Sequence, residues 1–186
     1  MSPLPGLSCR AYTMCPVPGG EILLGVKSEG LYVYDVLTKE LNRIKLISQD
    51  GESLRDIYRM VTGKDGNLYL ASYCDDLYRI SLDSFESGSV SAVNPIFKND
   101  DIEGLAADPR KPGVLYVLSQ ESGLQELNTH TSEIRDLIPM PENVFPTQLR
   151  YHEGSLWVTS SRGLYVYDLA KGTYNRYLRD NGDRYS

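Results

Sequence analysis

One short phrase returns four times along the chain, and that recurrence limits what the chain can fold into more than any other feature. The phrase starts on a turn glycine and runs into apolar and aromatic residues. Its copies are GEILLG from Gly20, GNLYLAS from Gly66, GVLYVLS from Gly113 and GSLWVTS from Gly154, at intervals of 46, 47 and 41 residues. About ten residues after each glycine comes a second phrase: GLYVYD at 30–35, DLYRIS at 76–81, GLQELN at 123–128 and GLYVYD again at 163–168. An identical hexapeptide 133 residues apart points to internal repetition rather than chance.

Each repeat extends on both sides of these phrases. Before the turn glycine stands another strand-like run, as in DIYRMVTGKDG (56–66), IEGLAADPRKPG (102–113) and TQLRYHEG (147–154), with Asp, Glu or Gly marking a tight reversal. After the second phrase a polar turn recurs (DVLTKEL, LNTHTSEI, DLAKGTY), followed by a short run such as NRIKLI, IRDLI or NRYL. These are four strands, a to d, of an antiparallel meander. A lone sheet of this size leaves both faces uncovered, and radial stacking of such sheets covers them. A period of roughly 40–50 residues with four strands per unit is the signature of a β-propeller. A sandwich or an up-and-down barrel would not require the a, b, c, d order to return. The chain is therefore expected to be all-β, one partial propeller domain over 1–186 with about four blades at 9–50, 54–99, 101–140 and 146–180. No helix is required. The Ser- and Gly-rich stretch 82–95 is expected to be a long flexible loop between strands c and d of the second blade.

Composition agrees and excludes several functions. Tyrosine numbers 14 against 3 Phe and 1 Trp, which suits half-buried strand surfaces where a ring packs inward and its hydroxyl reaches water. A net charge of −6 with no dense basic stripe argues against nucleic acid. No stretch approaches the roughly 20 apolar residues needed to cross a bilayer, so direct membrane insertion is not expected. The first twenty residues lack the basic start and long apolar run of a signal peptide. Cys9, Cys15 and Cys74 show no paired CxxC spacing and read as plain thiols, with a Cys9–Cys15 bridge the alternative in an oxidising compartment.

The phrases also resemble a known family. A turn ending in D-G or E-G, an L-W or L-Y run closing on Thr-Ser or Ala-Ser, then G-L-Y-V-Y-D and a T-G-like turn, is similar to the two-component regulator propeller repeat. The best copy is YHEGSLWVTSSRGLYVYDLAKGTYNRY (151–177); KDGNLYLASYCDDLYRI (64–80) is a fair one, the first repeat carries Pro16 and Pro18 in its opening turn, and the third diverges most. The resemblance implies the extracytoplasmic, periplasmic sensor region of a hybrid two-component histidine kinase of Bacteroides type, responsive to glycan fragments. It also implies a ring of about seven blades, so the chain is expected to be a fragment of a longer sensor. The kinase part is absent from this sequence.

Candidate chemistry is sparse. His130 and His152 fall on expected turns and read as solvated residues, Asp100, Asp101 and Glu103 as a solvated acidic loop, and GKDG (63–66) as a hairpin turn rather than a phosphate loop. No catalytic residue, metal site or cofactor is assigned. A propeller lyase or lactonase is the enzymatic alternative, and a protein-interaction scaffold the non-enzymatic one. Trp157, at the offset of Leu23, Tyr69 and Tyr116, is expected between blades. In a meander the b–c and d–a connections share one rim, which places Lys27, Glu29, Arg55, Tyr73, Asp75, Gln120, Glu121, Asn143, Phe145 and Arg162 together. Of these, Arg55, Tyr73, Glu121 and Arg162 are the candidate ligand-binding residues, for a glycan or other small hydroxyl-rich molecule. Exposed blade edges also allow self-association.

Overall fold

The computed structural model describes residues 9–48, 51–72, 76–87, 89–93, 95–98 and 101–178. They form four sheets in chain order. The first holds β1 (Ala11–Pro16), β2 (Glu21–Val26), β3 (Gly30–Asp35) and β4 (Leu41–Ser48). The second holds β5 (Ile57–Thr62), β6 (Asn67–Ser72), β7 (Asp76–Ser81) and, after a 3-10 helix (Leu82–Ser87) and β8 (Ser89–Val93), the short β9 (Pro95–Lys98). The third holds β10 (Ile102–Ala107), β11 (Val114–Ser119), β12 (Gly123–Asn128) and β13 (Ile134–Ile138). The fourth holds β14 (Pro146–His152), β15 (Ser155–Ser160), β16 (Gly163–Asp168) and β17 (Thr173–Leu178). Consecutive strands pair antiparallel within each sheet, from an inner strand a to an outer strand d.

The second phrase ends in Asp or Asn because that side chain builds the next turn. Asp35 accepts hydrogen bonds from the amides of Leu37 and Thr38, Asn128 from His130 and Thr131, and Asp168 from Ala170 and Lys171. Each turn then closes through a residue at positive φ, namely Lys39, Ser132 or Gly172. The second repeat has Ser81 in that place, and there the turn is replaced by the 3-10 helix.

The b strands read as near-continuous apolar runs because their two faces are buried against two different sheets. Alternate residues separate cleanly. Leu68 and Leu70 join the cluster shared with the first sheet, while Tyr69 and Ala71 join the one shared with the third. Leu115 and Val117 likewise face back, and Tyr116 and Leu118 face forward to the fourth sheet. At roughly 1.5–3 kcal/mol for each fully buried large side chain, these interfaces are where the molecule gains its stability. Close approach also demands small residues: a Cβ on Gly25 would press on the Ile57 carbonyl, and one on Gly123 would collide with the Ile138 carbonyl.

Buried tyrosines anchor their hydroxyls on the a–b turns. Tyr69 donates to Asp65 at 2.6 Å, and Tyr116 donates to the buried Asp108 at 2.7 Å. Burial opposes ionisation of both carboxyls, yet these hydroxyls and the turn amides outweigh it and hold Asp65 and Asp108 below the usual carboxylate range. Burial and the adjacent Asp65 push Tyr69 up to about 12, and the same causes raise Tyr116.

One expectation is corrected. The stretch 82–95 is not a structureless loop. Its 3-10 helix sends Leu82 and Phe85 against the cluster between the first and second sheets, and β8 then pairs parallel with β4, making a fifth strand on the first sheet. The second repeat thus covers the outer edge of the first, which blunts that edge against other chains. Trp157 lies on the forward face of the fourth sheet and is 39% exposed, with none of the described sheets against that face. Among the described residues, buried clusters join the first sheet to the second, the second to the third and the third to the fourth, with none joining the fourth back to the first. The sheets form an open arc. Cys9 and Cys15 are not joined in a disulfide, Cys15 lying within the core, whereas Cys74 lies outside the described residues. No described helix is long and apolar enough to cross a membrane.

Candidate functional site

The b–c and d–a connections do meet on one rim. The Ser28 amide donates to Asp56 Oδ1 at 2.8 Å, joining the first b–c turn to the link between blades one and two. At the other end of the arc, Phe145 donates its amide to Ser161 Oγ at 3.0 Å, and the Ser161 amide donates to the Phe145 carbonyl at 2.8 Å.

On this rim Arg55, Glu121 and Arg162 are all exposed, in the link after the first blade and in the b–c turns of the third and fourth. Among the described residues their side chains make no hydrogen bond or ion pair with one another. Tyr73 and Asp75 lie outside the described residues. Glu29 is engaged locally, accepting a 2.5 Å hydrogen bond from Tyr32. Lys27, Gln120 and Asn143 are exposed, and Phe145 is 50% exposed.

A more concentrated site lies just inside the rim. Every inner strand slips register by one residue near its start, so that one residue in each falls outside the run of Cα pairs with strand b: Tyr12 in β1, Tyr58 in β5, Glu103 in β10 and Thr147 in β14. A bulge of this kind bends the strand and re-aims the extra side chain. All four residues line a single recess of about 360 Å³ on the concave side of the arc, together with Arg59, Gln148 and Arg150. A smaller hollow of about 160 Å³ adjoins it and shares Tyr58, Arg59 and Glu103.

The recess has a defined chemistry. Tyr12 and Tyr58 stack, with ring centroids 4.3 Å apart and planes 21° from parallel. Arg59 bridges two blades: its Nη2 meets Glu103 Oε2 at 2.9 Å, its Nε donates to the Glu103 carbonyl at 2.6 Å, and its Nη1 donates to the Tyr58 carbonyl at 3.1 Å. Among the described residues three of the five guanidinium donors are thus used, and two have no acceptor there. Thr147 shares a 2.8 Å hydrogen bond with Thr159. Arg150 has no acidic partner among the described residues and borders the recess from the fourth blade. An aromatic pair beside a charged fork and an amide offers a stacking surface together with directional donors and acceptors.

Sequence reasoning missed Tyr12, Tyr58 and Thr147 because it assigned strand a to structure and searched only the loops, and it read Glu103 as part of a solvated acidic loop, whereas Glu103 lies in β10 and pairs with Arg59. Tyr, Tyr, Glu and Thr share no chemical type, so nothing in a single sequence marks the bulge. Their near-regular spacing is the signal that alignment of the four inner strands would have exposed. The two histidines lie elsewhere, exposed near the opposite rim, with His152 Nε2 3.8 Å from Glu153. Among the described residues no cluster of His, Cys, Asp and Glu is placed to hold a metal ion.

No family model and no curated protein matches the sequence. Solved structures do. A structure described as the extracellular domain of a one-component system, BT4673, from B. thetaiotaomicron superposes with a TM-score of 0.74 over 92% of this chain. The two chains are 15% identical over that match. The fold is an arc of β-propeller blades. A second structure of BT4673, described as the extracellular domain of a hybrid two-component system, gives a TM-score of 0.72 at 15% identity over 92% of the chain. Apo AztD from Citrobacter koseri gives 0.59 at 14% identity over 89% of the chain. The arc spans 25% and 24% of the two BT4673 chains and 45% of AztD. At such identities the likeness speaks for the fold.

Proposed function

We propose that this arc is the ligand-recognising segment of an extracytoplasmic sensor, and that it binds a hydroxyl-rich small molecule, an oligosaccharide by preference, without converting it. The observation that carries the reading is the convergence of four bulge residues, one from each blade, on a single recess. A bulge breaks a ladder hydrogen bond, and repeating it at the same place in every blade is hard to account for by folding alone. The Tyr12–Tyr58 pair suits the apolar face of a sugar ring, and Arg59, Glu103 and Gln148 suit its hydroxyls. The rim residues Arg55, Tyr73, Glu121 and Arg162 would then hold the outer units of a longer ligand. The neighbours described as extracellular domains of a one-component and a hybrid two-component system support the same role, with a kinase and the periplasmic setting following from it.

The scaffold alternative needs a broad apolar rim. Among the described residues the exposed large apolar side chains there are Phe145 and Leu178, set among the exposed Lys27, Arg55, Glu121 and Arg162, which favours a small polar ligand.

A glycan-array screen followed by calorimetry tests the proposal. Tyr58→Ala should weaken binding of the selected glycan about tenfold or more, the equivalent of roughly 1.4 kcal/mol, while alanine at Arg55, Glu121 or Arg162 should cost less for short ligands than for long ones. Wild-type affinity in Tyr58→Ala would reject the recess, and turnover in lactonase or lyase assays would reject the non-catalytic reading.

A further inference from the structure

The three interfaces between blades are built alike but not filled alike. At the same forward offset of strand b the second and third blades carry Tyr69 and Tyr116, both fully buried, and the first carries Leu23. Tyr69 reaches across to the third blade. Its hydroxyl donates to Asp65 at 2.6 Å and lies 3.1 Å from Thr129 Oγ1, and the Thr129 amide donates to the Gly113 carbonyl at 2.8 Å. One interface earlier, Leu82 and Gly66 stand in the places of Thr129 and Gly113, joined by the same amide-to-carbonyl hydrogen bond at 3.1 Å. Leu23 lacks the ring and hydroxyl that would reach them. A hollow of about 410 Å³ lies there instead, bordered by Leu82 and Gly66 on the side of the a–b and c–d turns.

Val33 and Ile44 of the first blade and Leu82 and Phe85 of the second give this hollow apolar walls, Phe85 being carried there by the 3-10 helix that replaces the Asx turn of the other repeats. Two carboxylates, Glu21 and Asp83, stand among the lining residues, with no Lys, Arg or His beside them there. Both are exposed, and among the described residues neither side chain has a hydrogen-bond or ion-pair partner. We propose that the hollow is a binding site for a small aromatic amine, whose ring takes the place that Tyr69 fills one interface along and whose ammonium meets Glu21 and Asp83. The neighbouring interface specifies this occupant, because there a ring with a donating polar end lies among apolar side chains and turns its donor to a carboxylate, Asp65. The positive charge follows from the acids, which attract a cation and repel an anion. The volume falls within the range of about 300–1,000 Å³ usual for small-molecule sites. Its described walls come from two blades that pack directly on each other, on the side away from the recess. The site is therefore independent of the sensor reading.

Calorimetry of the 186-residue chain with tyramine, and with p-cresol as the same phenol ring without the amine, tests it. Tyramine should bind, and more tightly than p-cresol. Glu21→Gln combined with Asp83→Asn, both on exposed side chains, should weaken tyramine about threefold or more and leave p-cresol unchanged. Leu23→Tyr, which supplies the ring carried by the second and third blades, should abolish binding of both compounds while circular dichroism shows the chain folded. Absence of tyramine binding at millimolar concentration overturns the proposal, as does p-cresol binding equally well. So does wild-type tyramine affinity in the carboxylate variant or in a folded Leu23→Tyr chain. If Leu23→Tyr does not fold, the carboxylate variant decides alone.

Discussion

At the scale of single residues, the buried hydroxyls separate into two kinds. Tyr116 donates to Asp108, whose side chain is fully buried and also accepts the amides of Arg110 and Lys111. Tyr165, at the facing position of the same cluster, has a buried hydroxyl with no hydrogen-bond partner among the described residues. Removing one hydroxyl strands a carboxylate; removing the other relieves an unmet demand. Tyr116→Phe should therefore destabilise by about 1–3 kcal/mol, and Tyr165→Phe should be neutral or stabilising by up to about 1 kcal/mol. Denaturant midpoints of the two variants, with unchanged slope, check the contrast.

At the scale of elements, the repeat was legible because its signals are local. A glycine at a tight reversal, an Asx side chain closing the c–d turn and unbroken apolar runs each report on backbone geometry or two-sided burial. Where the sequence misled, the physics was non-local. The stretch 82–95 is rich in Ser and Gly, yet it folds onto the first interface because Phe85 finds apolar cover there and β8 finds an open edge on β4. The departure was nonetheless written at Ser81, which cannot build the Asx turn of its equivalents Asp35, Asn128 and Asp168. The offset of Trp157 fixed its strand and its face, since position in a repeat sets a side chain's direction. Phe85→Ala should lower stability by about 1–2 kcal/mol, scaled down from a full aromatic truncation because the ring is only half-buried. Faster hydrogen exchange confined to the other sheets, with the first interface unaffected, would contradict the covering role.

At the scale of the whole molecule, the arc behaves as a linear series in which each sheet depends mainly on its neighbours. The second and third sheets are buried on both faces and the first and fourth on one. Hydrogen exchange should follow that order. The amides of β11, whose Leu115 to Leu118 are fully buried, should be the slowest, and those of β17, exposed along its length, the fastest. Equal protection across all four sheets would show that the arc unfolds as one unit.

The repeated bulge also separates two kinds of selection. Because Tyr12, Tyr58, Glu103 and Thr147 stand at the slipped positions of their strands and belong to none of the buried clusters between sheets, each can be exchanged without opening a cavity between sheets. Folding constrains the rest of the blade while leaving one position per repeat open to vary. Four such positions facing one hollow amount to a combinatorial alphabet, in which a new specificity can be spelled by point changes while the architecture stays the same.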